Sequence, residues 1–344
     1  MSWARHNFNK TRQINNINRI NNIGPISSIN ITNKNENIND IVNDIINDIV
    51  NDKYFIKDIS DKISLKPNNM KSIPKIAFTF WEGSEFTFLH YLTVKSFIEY
   101  NPDYKIIIYS TEDTTEINKT WNTNEHKYKI TNNLYDINKL KELPNVEFVV
   151  YDIKKYFPEL NDNMSCVHKS DIIRILKLYE HGGIWIDFDI LFFKQIPEIY
   201  LNLKENNIGI FKYNNGTNIP IGLIFSHKHN IILESMIVVI KNVIKNTDYM
   251  KYYQIFGTNI WSSIFNLQTI SPYVSYYPVN LCYAYMYDKL NDLYYTNNNL
   301  LDKDSVCIHW YNGSPITKKY INDTNFNNIQ PNSIFNSIIY KVLQ

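Results

Sequence analysis

Cysteine is scarce in this sequence: Cys166, Cys282 and Cys307 are the only three, an odd number at wide spacing. That argues against a disulfide-built scaffold and suits a reducing compartment. Long apolar runs are missing too. No stretch approaches the about 20 residues a membrane-spanning helix needs, and the polar N-terminus has no signal-peptide core. A cytoplasmic protein without a transmembrane segment is expected. An excess of either charge is also lacking, since 35 Lys and Arg stand against 34 Asp and Glu for a formal net charge of +1. No global field recruits nucleic acid or an anionic membrane, so neither is expected as a partner. What is present, over 344 residues that are 44% hydrophobic, is enough chain for one large domain or two small ones. The heavy use of Asn, Ile, Lys and Tyr is what an AT-rich genome encodes, as in some large DNA viruses.

Residues 1–37 are rich in Asn and Ile and carry Gly24-Pro25, a composition that predicts poor order. A four-residue pattern follows: Asn39-Asp40-Ile41-Val42, Asn43-Asp44-Ile45-Ile46 and Asn47-Asp48-Ile49-Val50. Apolar pairs every four positions make one helical face. Two uses of that face stand open: packing on the rest of the chain, or weak self-association through residues 38–58. The division expected is an extension over 1–72 and a globular domain over 73–344.

The globular part opens with an apolar strand, Lys75–Trp81, then a helix over Phe86–Tyr100, a turn at Asn101-Pro102-Asp103 and a strand over Tyr104–Ser110. Such a βαβ opening predicts a parallel sheet. Further strands are predicted at Val146–Asp152, Ile190–Phe193, Ile208–Phe211 and Ile221–Phe225, with a turn at Asn214-Asn215-Gly216. Helices are predicted over Ile231–Ile244 and Ile260–Leu267, and a helical segment begins at Ile196-Pro197.

The chain is organised around Ser170–Asp189, SDIIRILKLYEHGGIWIDFD. Ile172, Ile173, Leu176 and Tyr179 give a helix with one apolar face, for which Ser170 is the expected N-cap. Asp171 and Arg174, three apart, emerge on one side of a turn. Gly182-Gly183 stops the helix, because glycine tolerates a left-handed backbone. Ile184-Trp185-Ile186 is then a buried strand ending in Asp187-Phe188-Asp189. Strand alternation is expected to set Asp187 and Asp189 on one side. Two carboxylates held together call for a cation between them, and oxygen ligands suit Mg²⁺ or Mn²⁺, which in turn suit a diphosphate.

This stretch resembles the signature of the DXD sugar-binding glycosyltransferases, glycosyltransferase family 32, which includes initiating mannosyltransferases and capsular polysaccharide transferases. The chain is more distantly similar to the glucosyltransferase domains of large clostridial toxins. The likeness runs from about Ile73 to Pro315. It implies an α/β fold of GT-A type, a single Rossmann-like domain with a mostly parallel central sheet, and transfer from a nucleotide-sugar donor with retention of configuration. The implied donor is a UDP- or GDP-sugar, the acceptor a glycan, a protein or another hydroxyl, and the cofactor Mn²⁺ or Mg²⁺. Asp187 and Asp189 would hold the metal, while Arg174 and Asp171 would bind sugar hydroxyls. Trp81 would stack on the nucleobase, and Ser170, Gly182, Gly183 and Trp185 would belong to the donor site.

The family closes with a His-Trp element and a downstream Ser-Trp, matched here by His309-Trp310 and Ser314, with Pro315 in place of the last Trp. His309 is a metal ligand or a satisfied core histidine, and Trp310 and Ser314 are candidate donor contacts. The family's T-G-P motif is replaced by Gly257-Thr258-Asn259, to which no role is carried over. Tyrosines over 273–295 fit an acceptor groove or core filling equally. Two other classes stay open: a phosphatase of haloacid dehalogenase type, and a non-catalytic nucleotide-sugar-binding module.

Overall fold

In the computed structural model, residues 44, 46–112, 128–213, 219–297 and 301–344 are described. The expectations for residues 1–37 and for the turn at 214–216 lie outside them. Among the described residues, seven strands form the central sheet in the order β10-β8-β9-β5-β2-β3-β4. These are β2 (Ile76–Phe80), β3 (Lys105–Ser110), β4 (Val146–Val150), β5 (Gly183–Ile186), β8 (Ile208–Phe211), β9 (Leu223–Ser226) and β10 (Val274–Tyr277). Neighbours pair in parallel except at β9, which runs against both β5 and β8. Two small antiparallel pairs flank the sheet: β1 (Met70–Ser72) with β7 (Asn202–Lys204), and β6 (Ile190–Phe192) with β11 (Cys307–His309). The mostly parallel α/β sheet predicted from the sequence is present.

Alternation along the strands divides the core into two layers. Phe78, Ile107, Tyr109 and Trp185 face one layer, while Ala77, Ile106, Ile108, Ile184 and Ile186 face the other. Helices α1 (Lys53–Ser64), α3 (Cys166–His181), α4 (Ile231–Asn246) and α5 (Ile260–Phe265) contribute to the first layer. Helix α2 (Phe88–Tyr100) contributes to the second and to a further cluster under α6 (Pro315–Asp323) and α7 (Ile334–Leu343). Trp185, Trp261 and Trp310 are among the largest side chains fully buried in these layers. Fully burying a large apolar side chain is typically worth about 1.5–3 kcal/mol.

The four-residue pattern near the N-terminus finds its use here. Ile46, Ile49 and Val50 join Phe55, Ile59 and Ile63 of α1 in the first core layer, and α1 packs on α4. Lys62 Nζ of α1 also lies 3.0 Å from Glu234 Oε1 of α4. β1 then pairs with β7, so residues 46–72 are packed onto the domain. The described part of the 38–58 segment therefore turns its apolar face inward rather than offering it to a second copy. No helix among the described residues is long and apolar enough to cross a membrane.

Candidate active site

The α3–β5 unit delivers the acidic motif to the end of a central strand. The helix begins earlier than the sequence suggested. Ser165, not Ser170, is the N-cap, its side chain accepting from the His168 amide, and Ser170 lies inside α3. The apolar period is interrupted by His168 and Lys169, yet both are buried by tertiary neighbours, which lets the helix extend. At its other end Gly182 and Gly183 take φ of +68° and +99°. A Cβ on Gly183 would run into the carbonyl oxygen of Ile76. The two glycines let the backbone turn where it is pressed against neighbouring chain.

A turn, rather than strand alternation, brings the carboxylates together. β5 ends at Ile186, and the Ile190 amide donates to the Asp187 carbonyl across 3.2 Å. β11 then sets His309 opposite Ile190, the residue after Asp189. His309 Nε2 lies 3.0 Å from Asp189 Oδ1. The Asn312 amide donates to Asp189 Oδ2 at 2.9 Å, and the Trp310 amide donates to the Asp189 carbonyl at 2.8 Å. Asp187, Asp189 and His309 each offer a ligand atom, all within 4.8 Å of one another. Their side chains are 27%, 17% and 15% exposed, sheltered but reachable. Two carboxylates and one imidazole form a donor set that suits Mn²⁺.

Charge explains the arrangement. Burial disfavours ionised Asp189, but the His309 imidazole and the Asn312 amide outweigh it and hold its pKa below the usual carboxylate range. Burial likewise opposes charge on His309, yet Asp189 and Asp187 hold its pKa above the ordinary value. Burial pushes Asp187 up, only partly countered by Arg174. Arg174 Nη2 donates to Asp187 Oδ1 at 2.8 Å, and Trp185 Nε1 donates to the same oxygen at 2.7 Å. These two donors fix the orientation of the Asp187 carboxylate.

Asp171 and Arg174 face each other at 3.1 Å with side chains 7% and 4% exposed. Burial pushes Asp171 up to about 7 despite Arg174, with Asp187 adding to the rise. Arg174 also lies over the Trp185 ring, 5.1 Å from its centroid. A residue the sequence left without a role sits here: a Cβ on Gly257 would stand 2.6 Å from Asp171 Oδ2. Glycine lets the 255–259 backbone close over that carboxylate. The signal was present in the sequence as a lone Gly before a helix, but its partner lies over 80 residues away.

Trp81 stands at the end of β2, half-buried, with its ring 4.4 Å from His90 and 5.2 Å from Phe188. Trp185, Trp310 and Ser314 are fully buried and offer no surface to a ligand as the chain stands. Trp310 donates to the Thr93 hydroxyl, and the Ser314 hydroxyl caps α6 by accepting from the Ile316 amide. They shape the site from behind. Of the predicted tyrosine cluster, Tyr277, Tyr283 and Tyr294 are buried in the core, and Tyr283 lies tilted against His309 with its hydroxyl unpartnered. Tyr213 and Tyr311, whose hydroxyls meet at 3.3 Å, extend this aromatic wall.

Residues 88–214 match the family described as glycosyltransferase sugar-binding region containing DXD motif, and Asp187-Phe188-Asp189 is that motif here. Residues 88–214 thus carry a DXD-containing glycosyltransferase sugar-binding region, seated on a mostly parallel α/β sheet. No curated protein matches the sequence. Among solved structures, the PaToxG glycosyltransferase is similar at 19% identity, with 66% of this chain and 78% of that one covered and a TM-score of 0.40. The UDP-bound glycosyltransferase domain from the YGT toxin is similar at 11% identity, over 60% of this chain and 80% of that one, with a TM-score of 0.41. The galactosyltransferase LgtC in complex with donor and acceptor sugar analogs is similar at 13% identity, over 73% and 84%, with a TM-score of 0.37.

Proposed function

We propose that this protein transfers a sugar from a UDP- or GDP-sugar to a hydroxyl acceptor on a glycan or protein, in a metal-dependent reaction of the family 32 type. The observation that carries the reading is the convergence of Asp187, Asp189 and His309 from segments 120 residues apart, beside the buried Arg174 and Asp171. Asp187, Asp189 and His309 would hold Mn²⁺ or Mg²⁺. Such a cation neutralises charge on the departing diphosphate. Binding it requires His309 to give up its proton.

The chain's own groups do the rest. Arg174 donates to sugar hydroxyls, and Asp171, with a pKa near neutrality, accepts from or donates to them. Both are fixed by burial and therefore orient the ring rather than move with it. Trp81, at the end of a parallel strand where ligands of open α/β sheets collect, stacks on the nucleobase. Trp185 holds Asp187 in place through its indole N–H. Retention of configuration follows from the resemblance to family 32.

Incubation with UDP-glucose, UDP-galactose, UDP-N-acetylglucosamine or GDP-mannose, with Mn²⁺ or with EDTA, tests the reading. The expected outcome is slow release of sugar from one donor, lost in EDTA, together with a metal-dependent thermal shift. Cleavage of simple phosphate esters with every nucleotide sugar left intact would overturn it in favour of a phosphatase. Binding of a donor with no turnover on any acceptor tried would leave a binding module.

A further inference from the structure

His90 belongs to α2, far in sequence from the DXD motif, and is completely buried. Its Nδ1 accepts from the Thr87 amide at 2.9 Å, which places the remaining proton on Nε2. Burial drives its pKa down to about 3, so the ring stays neutral. Trp81, Phe86 and Trp310 pack around it with centroids 4.4, 5.4 and 5.1 Å away. Nε2–H, a buried donor, has no hydrogen-bond partner. The side chain that approaches it is Asn312, whose Oδ1 is a buried acceptor equally without a partner. Asn312 in turn donates its backbone amide to Asp189 Oδ2. The residue before it, Tyr311, has φ of +53°, in the left-handed region that a non-glycine residue seldom adopts.

We propose that His90 is a positioning residue for the metal centre: its Nε2–H donates to Asn312 Oδ1, and Asn312 thereby fixes Asp189. The bond completes two buried groups at once, so it favours the loop position in which Asp189 faces His309. His90 touches neither donor nor cation. Partners one step behind the ligands typically set metal affinity by about ten- to a hundredfold. This role rests on the reading of Asp187, Asp189 and His309 as a cation site.

The test is Mn²⁺ binding alone, read from the free-ion EPR signal. Four forms of the full chain are compared: wild type, His90→Phe, Asn312→Ala and the double variant. Each single change is expected to weaken binding about tenfold, with the double variant no weaker than either, because both remove one bond. His90→Gln, which puts an amide N–H near the Nε2 position, is expected to restore most of the affinity. Should His90→Phe disturb the packing, Asn312→Ala on the loop carries the test by itself. A wild type that binds Mn²⁺ and an Asn312→Ala variant that binds it equally would overturn the positioning role alone. A wild type that takes up no Mn²⁺ overturns the cation site and this role with it.

Discussion

Helix α3 carries two buried ion networks about two turns apart, and they differ in one respect. Towards its C-terminus, Lys177 Nζ lies 2.7 Å from Glu180 Oε2 and 3.5 Å from the centroid of the Tyr151 ring. Tyr156 donates its hydroxyl to Glu180, and His181 stands 3.4 Å away. Although burial opposes its charge, these partners hold the Glu180 pKa down to about 2. Nearer its N-terminus, Asp171 and Arg174 are as deeply buried, yet Arg174 Nε lacks a hydrogen-bond partner, Nη1 meets Asp171 as an ion pair at 3.1 Å, and Asp171 is pushed up to about 7. His309 Nδ1 and the Tyr283 hydroxyl nearby are also unpartnered. Both networks hold charge inside the protein. The first ties the helix to Tyr151 and Tyr156 beyond β4; the second, beside Asp187, is the one the proposed donor would meet.

That contrast is open to breaking by mutation. The largest effect is expected from Asp189→Ala, which should lower sugar release from the preferred donor by about a thousandfold, the scale of losing a main electrostatic stabiliser. Its melting temperature should stay near that of wild type, and a matching collapse in stability would show that Asp189 is a core residue. Glu180→Ala should do the opposite. Leaving Lys177 buried and unpaired costs about 3–5 kcal/mol, read from denaturant midpoints, while donor affinity in the folded protein is unchanged. Reduced affinity at full stability would erase the distinction between the networks.

Smaller effects sharpen it. Trp81→Ala should weaken nucleotide binding by ~1–3 kcal/mol, the typical value of a base stacked on an aromatic ring; calorimetry with UDP and GDP measures this, and equal affinity would make Trp81 purely structural. Gly257→Ala drives a methyl into Asp171, and overpacking of that kind costs about 1–3 kcal/mol. The expected signature is a raised KM for the donor, and an unchanged KM would remove Gly257 from the account. The pH dependence is the mildest handle. Because the Glu180 pKa lies near 2 in the folded chain, against an ordinary 4.5, its stabilisation is full above about 4.5. It is lost as pH falls towards 2. Unfolding midpoints at pH 5 and pH 3 should therefore converge in Glu180→Gln relative to wild type, and parallel losses in both proteins would remove Glu180 from the account.

Local chemistry was read well and long-range pairing was not. The strand cores and the glycine stop after α3 are nearest-neighbour matters of period and backbone freedom. The helix start was misplaced by five residues, from Ser165 to Ser170, because His168 and Lys169 break the apolar period and only their tertiary partners bury them. Asp187 and Asp189 were expected together for the wrong reason, a strand continued where the chain in fact turns. His309 stands beside Asp189 because β11 pairs with β6, a contact no local pattern showed. Gly257 offered only a lone glycine before a helix, and His90 and Asn312 carried no readable signal, since each matters through a partner between 86 and 222 residues away along the chain.

By itself the sequence determined the α/β alternation, the acidic motif at the end of a buried strand and the absence of a strong net charge, all set by short-range periodicity and composition. The antiparallel course of β9, the pairing that carries His309 to Asp189, and the closure of Gly257 over Asp171 were decided only by the folded chain. Strand direction and side-chain convergence depend on which distant surfaces bury each other, and no local pattern of residues encodes that choice.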